Sequence, residues 1–287
     1  GTVTSDGLGL GDSDAIVWGA GTSRPAIVGN KTTGDLNLYT NGYSRLSINN
    51  SGNVGIGVTP QANWHSNYDA VAIGEQSVLY AHADGIGNDS ATYLGTNVYE
   101  NNGSKYLRTD ESSLYRQQSG KHDFYVAPSG SADSAISWTT AMTINNSGNV
   151  GIGVTPEAHH NTHSALQVGG NGVWTSYKPQ GASGEMDFQH NAYYSQAHGG
   201  DRYISTDEAT KYRQGSGAHQ WYTAASGSAD AAISWTTGFE VLADGKARAK
   251  NGLLFGTDTA AANALDDYEE GTWTPSIGGN ATYTNQV

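Results

Sequence analysis

Cysteine is absent from the 287 residues, so disulfide staples and thiolate metal sites are unavailable and robustness has to come from packing or assembly. Basic residues are few: 14 Lys and Arg stand against 27 Asp and Glu, a net charge of −13. That balance disfavours attraction to phosphate backbones and anionic lipid, so neither nucleic acid nor membrane insertion is expected. No run approaches the ~18 apolar residues of a membrane span, and residues 1–11 lack the basic start and apolar middle of a signal peptide. Aliphatic filler is short as well. The 14 Leu, 12 Ile, 15 Val and 4 Phe make up about 16% of the chain, below the roughly 20% of ordinary globular domains. Low hydrophobicity with high charge usually leaves a chain disordered. Against this stand 7 Trp, 17 Tyr and 39 Gly, the composition of a chain that packs aromatics and makes tight turns.

Internal repeats organise what is there. The segment INNSGNVGIGVTP at 48–60 recurs unchanged at 144–156, an offset of 96, and thirteen identities in a row are not chance. At an offset of 97, SGSADSAISWTT (129–140) returns as SGSADAAISWTT (226–237), and KYLRTDESSLYRQ (105–117) returns as RYISTDEATKYRQ (202–214). The chain therefore divides into an N-terminal partial repeat (1–47), two units (48–143 and 144–240) and a short segment (241–263). The stretch 264–287 opens something different.

Each unit reads as β-structure. In DLNLYTNGYSRLSI, Leu36 and Leu38 alternate with polar residues, Asn41-Gly42 supplies a positive-φ turn, and Leu46 and Ile48 resume the alternation. Residues 49–52 make a second turn into NVGIGV, where Val54, Ile56 and Val58 share one face and Gly55 and Gly57 leave the other bare for close approach of another backbone. Thr59-Pro60 ends the strand. The sole helical hint is the Ala-rich stretch 259–265. Too few aliphatics for a private core, placed on recurring strands, predict an all-β chain of tandem hairpin or sandwich-like repeats with little or no helix, stabilised by assembly, for which three chains around an axis would suffice. In such an assembly symmetry copies bury the Val-Ile-Val stripe.

The combination YTNGYSRLSINNSGNVGIGVTP, KYLRTDESSLYRQ and HDFYVAPSGSADSAISWTTAM resembles bacteriophage tail-fibre proteins, in particular those of marine phages. ALDDYEEGTWTPSIGGNATYTNQ (264–286) is similar to the opening of a β-rich domain near the ends of such proteins. The resemblance implies an elongated, fibrous homotrimer, a structural, non-enzymatic protein of the virion tail, joined to other tail or baseplate proteins and attaching to a host surface glycan or protein. Many relatives end in a self-cleaving chaperone, and the residues after Thr274 are too few to be that domain. The chain breaks off inside the β-domain, which implies a segment of a longer product. Two rivals stand beside this reading, a glycan-depolymerising tailspike and a trimeric bacterial surface adhesin.

Catalytic chemistry is sought and not found. Gly11-Asp12-Ser13 lacks a downstream Asp-x-x-His and reads as a turn. The glycines of SGNVGIG lack the helix a phosphate site needs. The run Asp266-Asp267-Tyr268-Glu269-Glu270 reads as a solvated linker. Asp110-Glu111 and Asp207-Glu208 recur in both units, which favours a structural role such as pairing with Arg116 and Arg213. No cofactor, metal or catalytic residue is assigned. His159, His160 and His163 would give a three-nitrogen set on a three-fold axis, and exposed loop histidines are the plainer reading. Trp138 and Trp235, like Phe124-Tyr125 and Trp221-Tyr222, match between units and read as packing. Trp174, Tyr177, Tyr193 and Tyr194 lie where the units diverge and are the candidates for stacking on sugar rings, with packing as the rival.

Overall fold

The computed structural model describes residues 2–4, 7–9, 15–20, 23–83, 90–179, 184–254, 256–257, 259–260 and 264–265. The region 266–287, with its acidic run and most of the expected C-terminal β-domain, lies outside the described residues, as does Gly11-Asp12-Ser13. Among the described residues there is no helix, and the described part of 259–265 is irregular apart from a bridge between Leu265 and Leu253. The chain is all-β: nineteen strands share one large sheet, in which each ladder joins a strand to a near neighbour in sequence.

The sheet begins with Ala15–Val17, Ala26–Asn30, Asp35–Thr40 and Tyr43–Ile48, paired antiparallel in that order. Asn41 and Gly42 both take positive φ (51° and 77°), as the tight hairpin between the last two strands requires. The next turn is closed by Asn49, whose backbone carbonyl accepts from Gly52 N–H at 3.0 Å while its side-chain oxygen takes the Ser51 and Asn53 amides.

The strand that follows is shorter than the alternation predicts. It ends at Ile56, because Gly57 swings to a φ of 69° and donates to the Arg45 carbonyl; Val58 is off the ladder. The chain then doubles back over its own glycine. A Cβ on Gly55 would stand 2.1 Å from the Val58 carbonyl oxygen and 2.8 Å from Pro60 Cδ, so the bare face is occupied by the same chain's Thr-Pro turn. After a crossover, Tyr68–Ile73 pairs with Val54–Ile56 in parallel. This joint and its twin, Val150–Ile152 with His163–Val168, are the two parallel pairings in the sheet.

Each unit continues antiparallel: Tyr68–Ile73, Ser77–His82, Ala91–Thr96, Asp110–Gln118, Lys121–Gly130 and Thr139–Ile144 in the first, with His163–Val168 through Thr236–Val241 repeating the order in the second. Between Ala91–Thr96 and Asp110–Gln118 the chain leaves the sheet as a small hairpin, Val98–Glu100 with Ser104–Tyr106, which packs against Val78, Tyr80 and Leu114. Its hinge is Asn97, fully buried at φ 59°, whose side chain takes the Arg108 amide and donates to the carbonyls of Arg108, Asp110 and Glu111. Asn191 does the same work in the second unit, ahead of Ala192–Tyr194 and Asp201–Tyr203.

Candidate functional site

Strand alternation gives the sheet two faces, and they differ in kind. On one, the ladders align a file of apolar side chains through the whole sheet. Ile16 pairs with Ile27, Ile27 with Leu38, Leu38 with Leu46, Leu46 with Ile56 and Ile56 with Ile73. Two residues back on the same face, Val71 faces Leu79, and the file runs on through Leu94, Tyr115, Phe124, Met142, Ile152 and Val168. The same two-residue step leads to Leu166, then to Trp174, Phe188, Tyr212, Trp221 and Phe239. Rings along it touch: Tyr115 and Phe124 at 4.8 Å, Trp174 and Phe188 at 5.1 Å, Tyr212 and Trp221 at 4.8 Å, and Trp221 and Phe239 at 5.3 Å.

Thirteen members of this file, from Ile16 to Phe239, keep 36–57% of their surface exposed. At roughly 70–100 Å² apiece they leave on the order of 1,000 Å² of apolar surface in one contiguous band. Monomeric proteins rarely carry a patch of that size, and it matches the ~800 Å² that each partner gives to a stable interface.

Within the two units the opposite face is covered by the chain itself, and each unit covers it with different chemistry. In the first, Trp64, Val78, Tyr80, Tyr93, Val98, Tyr99 and Leu114 form an apolar core in which Tyr80 and Tyr93 stack at 4.4 Å. Burial, then the neighbouring Glu100, pushes the Tyr80 hydroxyl far above its ordinary range; burial also raises Glu100 despite its bonds from Ser104 and Tyr80. At matching positions the second unit has His159, Val173, Thr175, Asp187, Ala192, Tyr193 and Lys211. Here Lys211 is buried between Asp201 at 2.6 Å and Asp187 at 3.8 Å, under the rings of Trp235 and Tyr222. Arg213 grips Asp187 and Glu185, each at 2.7 Å; burial opposes its charge, but the two carboxylates hold it above its ordinary range. Close by, His163 and then Arg213 keep the Glu185 carboxyl low. His159 is 3% exposed with neither ring nitrogen bonded, and burial drives it down to about 4.

The four aromatics proposed for sugar stacking do not converge. Trp174 belongs to the apolar file, on the opposite face from Tyr177. Tyr193 is buried and donates to Asp230 at 2.8 Å, as Tyr99 donates to Asp133, and this repetition marks a packing role. Tyr177 and Tyr194 both flank His163, at 5.4 and 4.7 Å, and His160 stands edge-on to both Tyr194 and His163, at 5.4 and 6.4 Å. None of the three histidines is an exposed loop residue: His159 and His163 are buried and His160 is half-buried. Among the described residues no three His, Asp or Glu side chains group as a metal site. Arg116 pairs with Asp123 at 2.8 Å and Arg213 with Asp187, not with the recurring acidic doublets; Asp110 and Asp207 instead accept from the next residue's amide, Asp110 also from Gln76. Asp123 is held below the carboxylate range, since the bonds from Arg116 and Thr143 outweigh its burial.

Sequence reasoning missed the continuous file. Its signal was present, one apolar residue every second position in each strand, but the file exists only once the register across nineteen strands is known. No family model matches this chain, and no curated protein is significantly similar to it.

Proposed function

We infer that the chain is a segment of a trimeric phage tail fibre, a non-enzymatic virion protein that links tail or baseplate to the host surface. The observation that carries this reading is the apolar file on one face of the sheet. A half-exposed band this long fits burial against copies of the same chain, because identical copies in register present identical bands. Three such faces turned inward form a shared core, and the acidic, self-covered faces turn outward. The resemblance of the repeats to tail-fibre shafts supplies the biological setting, with host surface glycan or protein as the outer partner.

Sedimentation equilibrium and native mass spectrometry of the purified chain test it. The expected mass is three times 30.1 kDa. Phe188→Asp, which sets a carboxylate between Trp174 and Tyr212 on the file, is expected to weaken association at least about tenfold, the equivalent of one missing 1.4 kcal/mol contact. A stable monomer of the parent chain, or a trimer indifferent to Phe188→Asp, overturns the reading. Competition of virion adsorption by the purified chain tests attachment separately.

A further inference from the structure

The two units differ at one buried position in a way that describes a ligand. In the second, Gln167 lies opposite Gly151 and is fully buried. Its carboxamide oxygen accepts from Glu157 N–H at 2.9 Å, and its amide nitrogen donates to the Gly170 carbonyl at 2.9 Å. The residue opposite Gly55 in the first unit is Ala72. There the space is a cavity of about 390 Å³, walled by Val58, Pro60, Trp64, Val78 and Leu107. Gln61 and Glu75, the counterparts of Glu157 and Gly170, line it too, and among the described residues neither the Gln61 N–H nor the Glu75 carbonyl has a hydrogen-bond partner. At the rim stands an exposed ion pair, Arg108 with Glu75 at 3.0 Å.

We propose that this cavity is a binding site for an N-acetylated sugar, whose acetamido group takes the place that the Gln167 carboxamide fills in the second unit. An acetamido group offers the same planar pair, a carbonyl acceptor for Gln61 N–H and an N–H donor for the Glu75 carbonyl. Both groups stand in the partly exposed lining of the cavity with no protein partner among the described residues, so a ligand that pairs with both is selected over one that pairs with neither. The acetyl methyl meets the apolar wall, and the ring hydroxyls reach the Arg108–Glu75 pair, whose charges suit polyhydroxyl ligands better than an apolar peptide side chain. Val78 alternates with Leu79, so the cavity opens on the face away from the apolar file and stays accessible when that file is buried.

The proposal deepens the attachment reading by naming a sugar class. Saturation-transfer NMR on the full chain, with N-acetylglucosamine, glucose and the peptide acetyl-Ala-Gln-Ala-amide as probes, tests it. The acetamido methyl of the sugar is expected to take the strongest saturation, glucose none, and the peptide, which carries an acetamido group without ring hydroxyls, less than the sugar. Ala72→Gln, which installs the second unit's own plug, is expected to weaken sugar binding at least about tenfold while Tm holds or rises. Gln167→Ala opens the second site and raises the sugar bound per chain. No saturable binding of N-acetylglucosamine, equal binding of glucose, binding of the peptide alone, or binding indifferent to both substitutions overturns the proposal. Failure here with an intact trimer leaves the fibre reading standing, whereas a monomer that binds the sugar overturns that reading alone.

Discussion

His159 makes the second unit sensitive to acid in a way the first is not. Its ring is buried edge-on to Tyr193 at 5.9 Å, with both nitrogens unbonded, whereas the same place in the first unit holds Trp64 against Tyr99. Burial lowers its pKa from the ordinary 6.5 to about 4. A histidine held low in the folded state favours the neutral fold, so its contribution is fully present above pH 6.5. It is lost as pH falls from 6.5 towards 4, when the unfolded chain takes up a proton that the folded one refuses. That gap corresponds to about 3 kcal/mol, or about 6–12 °C of Tm for a cooperative unit of this size. His159→Phe removes the titration and the two unbonded nitrogens together, and where Tyr80 and Val98 cluster with Trp64 in the first unit the second carries the smaller Thr175 and Ala192. Calorimetry at fixed protein concentration, scanned from pH 7 to pH 4, is expected to show the variant at least as stable at pH 7 and about 6–12 °C less acid-sensitive across that window. Asp123 and Glu185, held low by their cations, lose their contributions only below the ordinary carboxylate range, so they act in a different window. An unchanged drop in Tm between pH 6.5 and 4 in His159→Phe refutes the assignment.

Two further substitutions probe the frame. Gly151→Ala puts a Cβ 2.1 Å from the Val154 carbonyl oxygen and 2.8 Å from Pro156 Cδ, both on a tight turn that has little freedom to move, and is expected to cost about 3 kcal/mol in denaturant titration; a cost below about 1 kcal/mol contradicts the close approach. Lys211→Leu copies Leu114 but takes the cation from Asp201, leaving that largely buried carboxylate the Trp235 N–H as its donor, with an expected loss of about 3–5 kcal/mol. Adding Asp201→Ser, the residue the first unit carries as Ser104, is expected to restore most of it, and a double variant no better than the single one rejects the coupling.

What could be read in advance was local. Asn41-Gly42 specifies its hairpin and Asn49 its turn, because each acts through residues within a few positions. Of the aromatics matched between units, Tyr125, Trp138 and Trp235 pack against the buried clusters as expected, whereas Phe124 and Trp221 stand half-exposed on the apolar file. The parallel joints were not legible: a three-residue strand carries no mark of which neighbour lies beyond a crossover. Nor were the hairpins at Val98–Glu100 and Ala192–Tyr194, which read as continuing strands until a buried asparagine in the left-handed region turns them out of the sheet. The polar core of the second unit was hidden for a third reason. Asp187 and Lys211 look like surface charges, and only their meeting across strands, beneath Trp235, reveals that they are interior.

The unbroken ladder from Ala15–Val17 to Ala247–Ala249 also makes the chain a ruler. Neighbouring strands lie about 4.8 Å apart across a sheet. Each unit contributes the same number of strands, the first from Val54–Ile56 to Thr139–Ile144 and the second from Val150–Ile152 to Thr236–Val241, so it advances the sheet by roughly 34 Å. A duplicated unit joins through the same Asn-Asn-Ser-Gly turn and glycine-covered parallel joint already used twice, and it brings its own segment of the apolar file. Length can therefore change by gain or loss of a whole unit between the identical thirteen-residue segments, with no surface elsewhere needing to adapt.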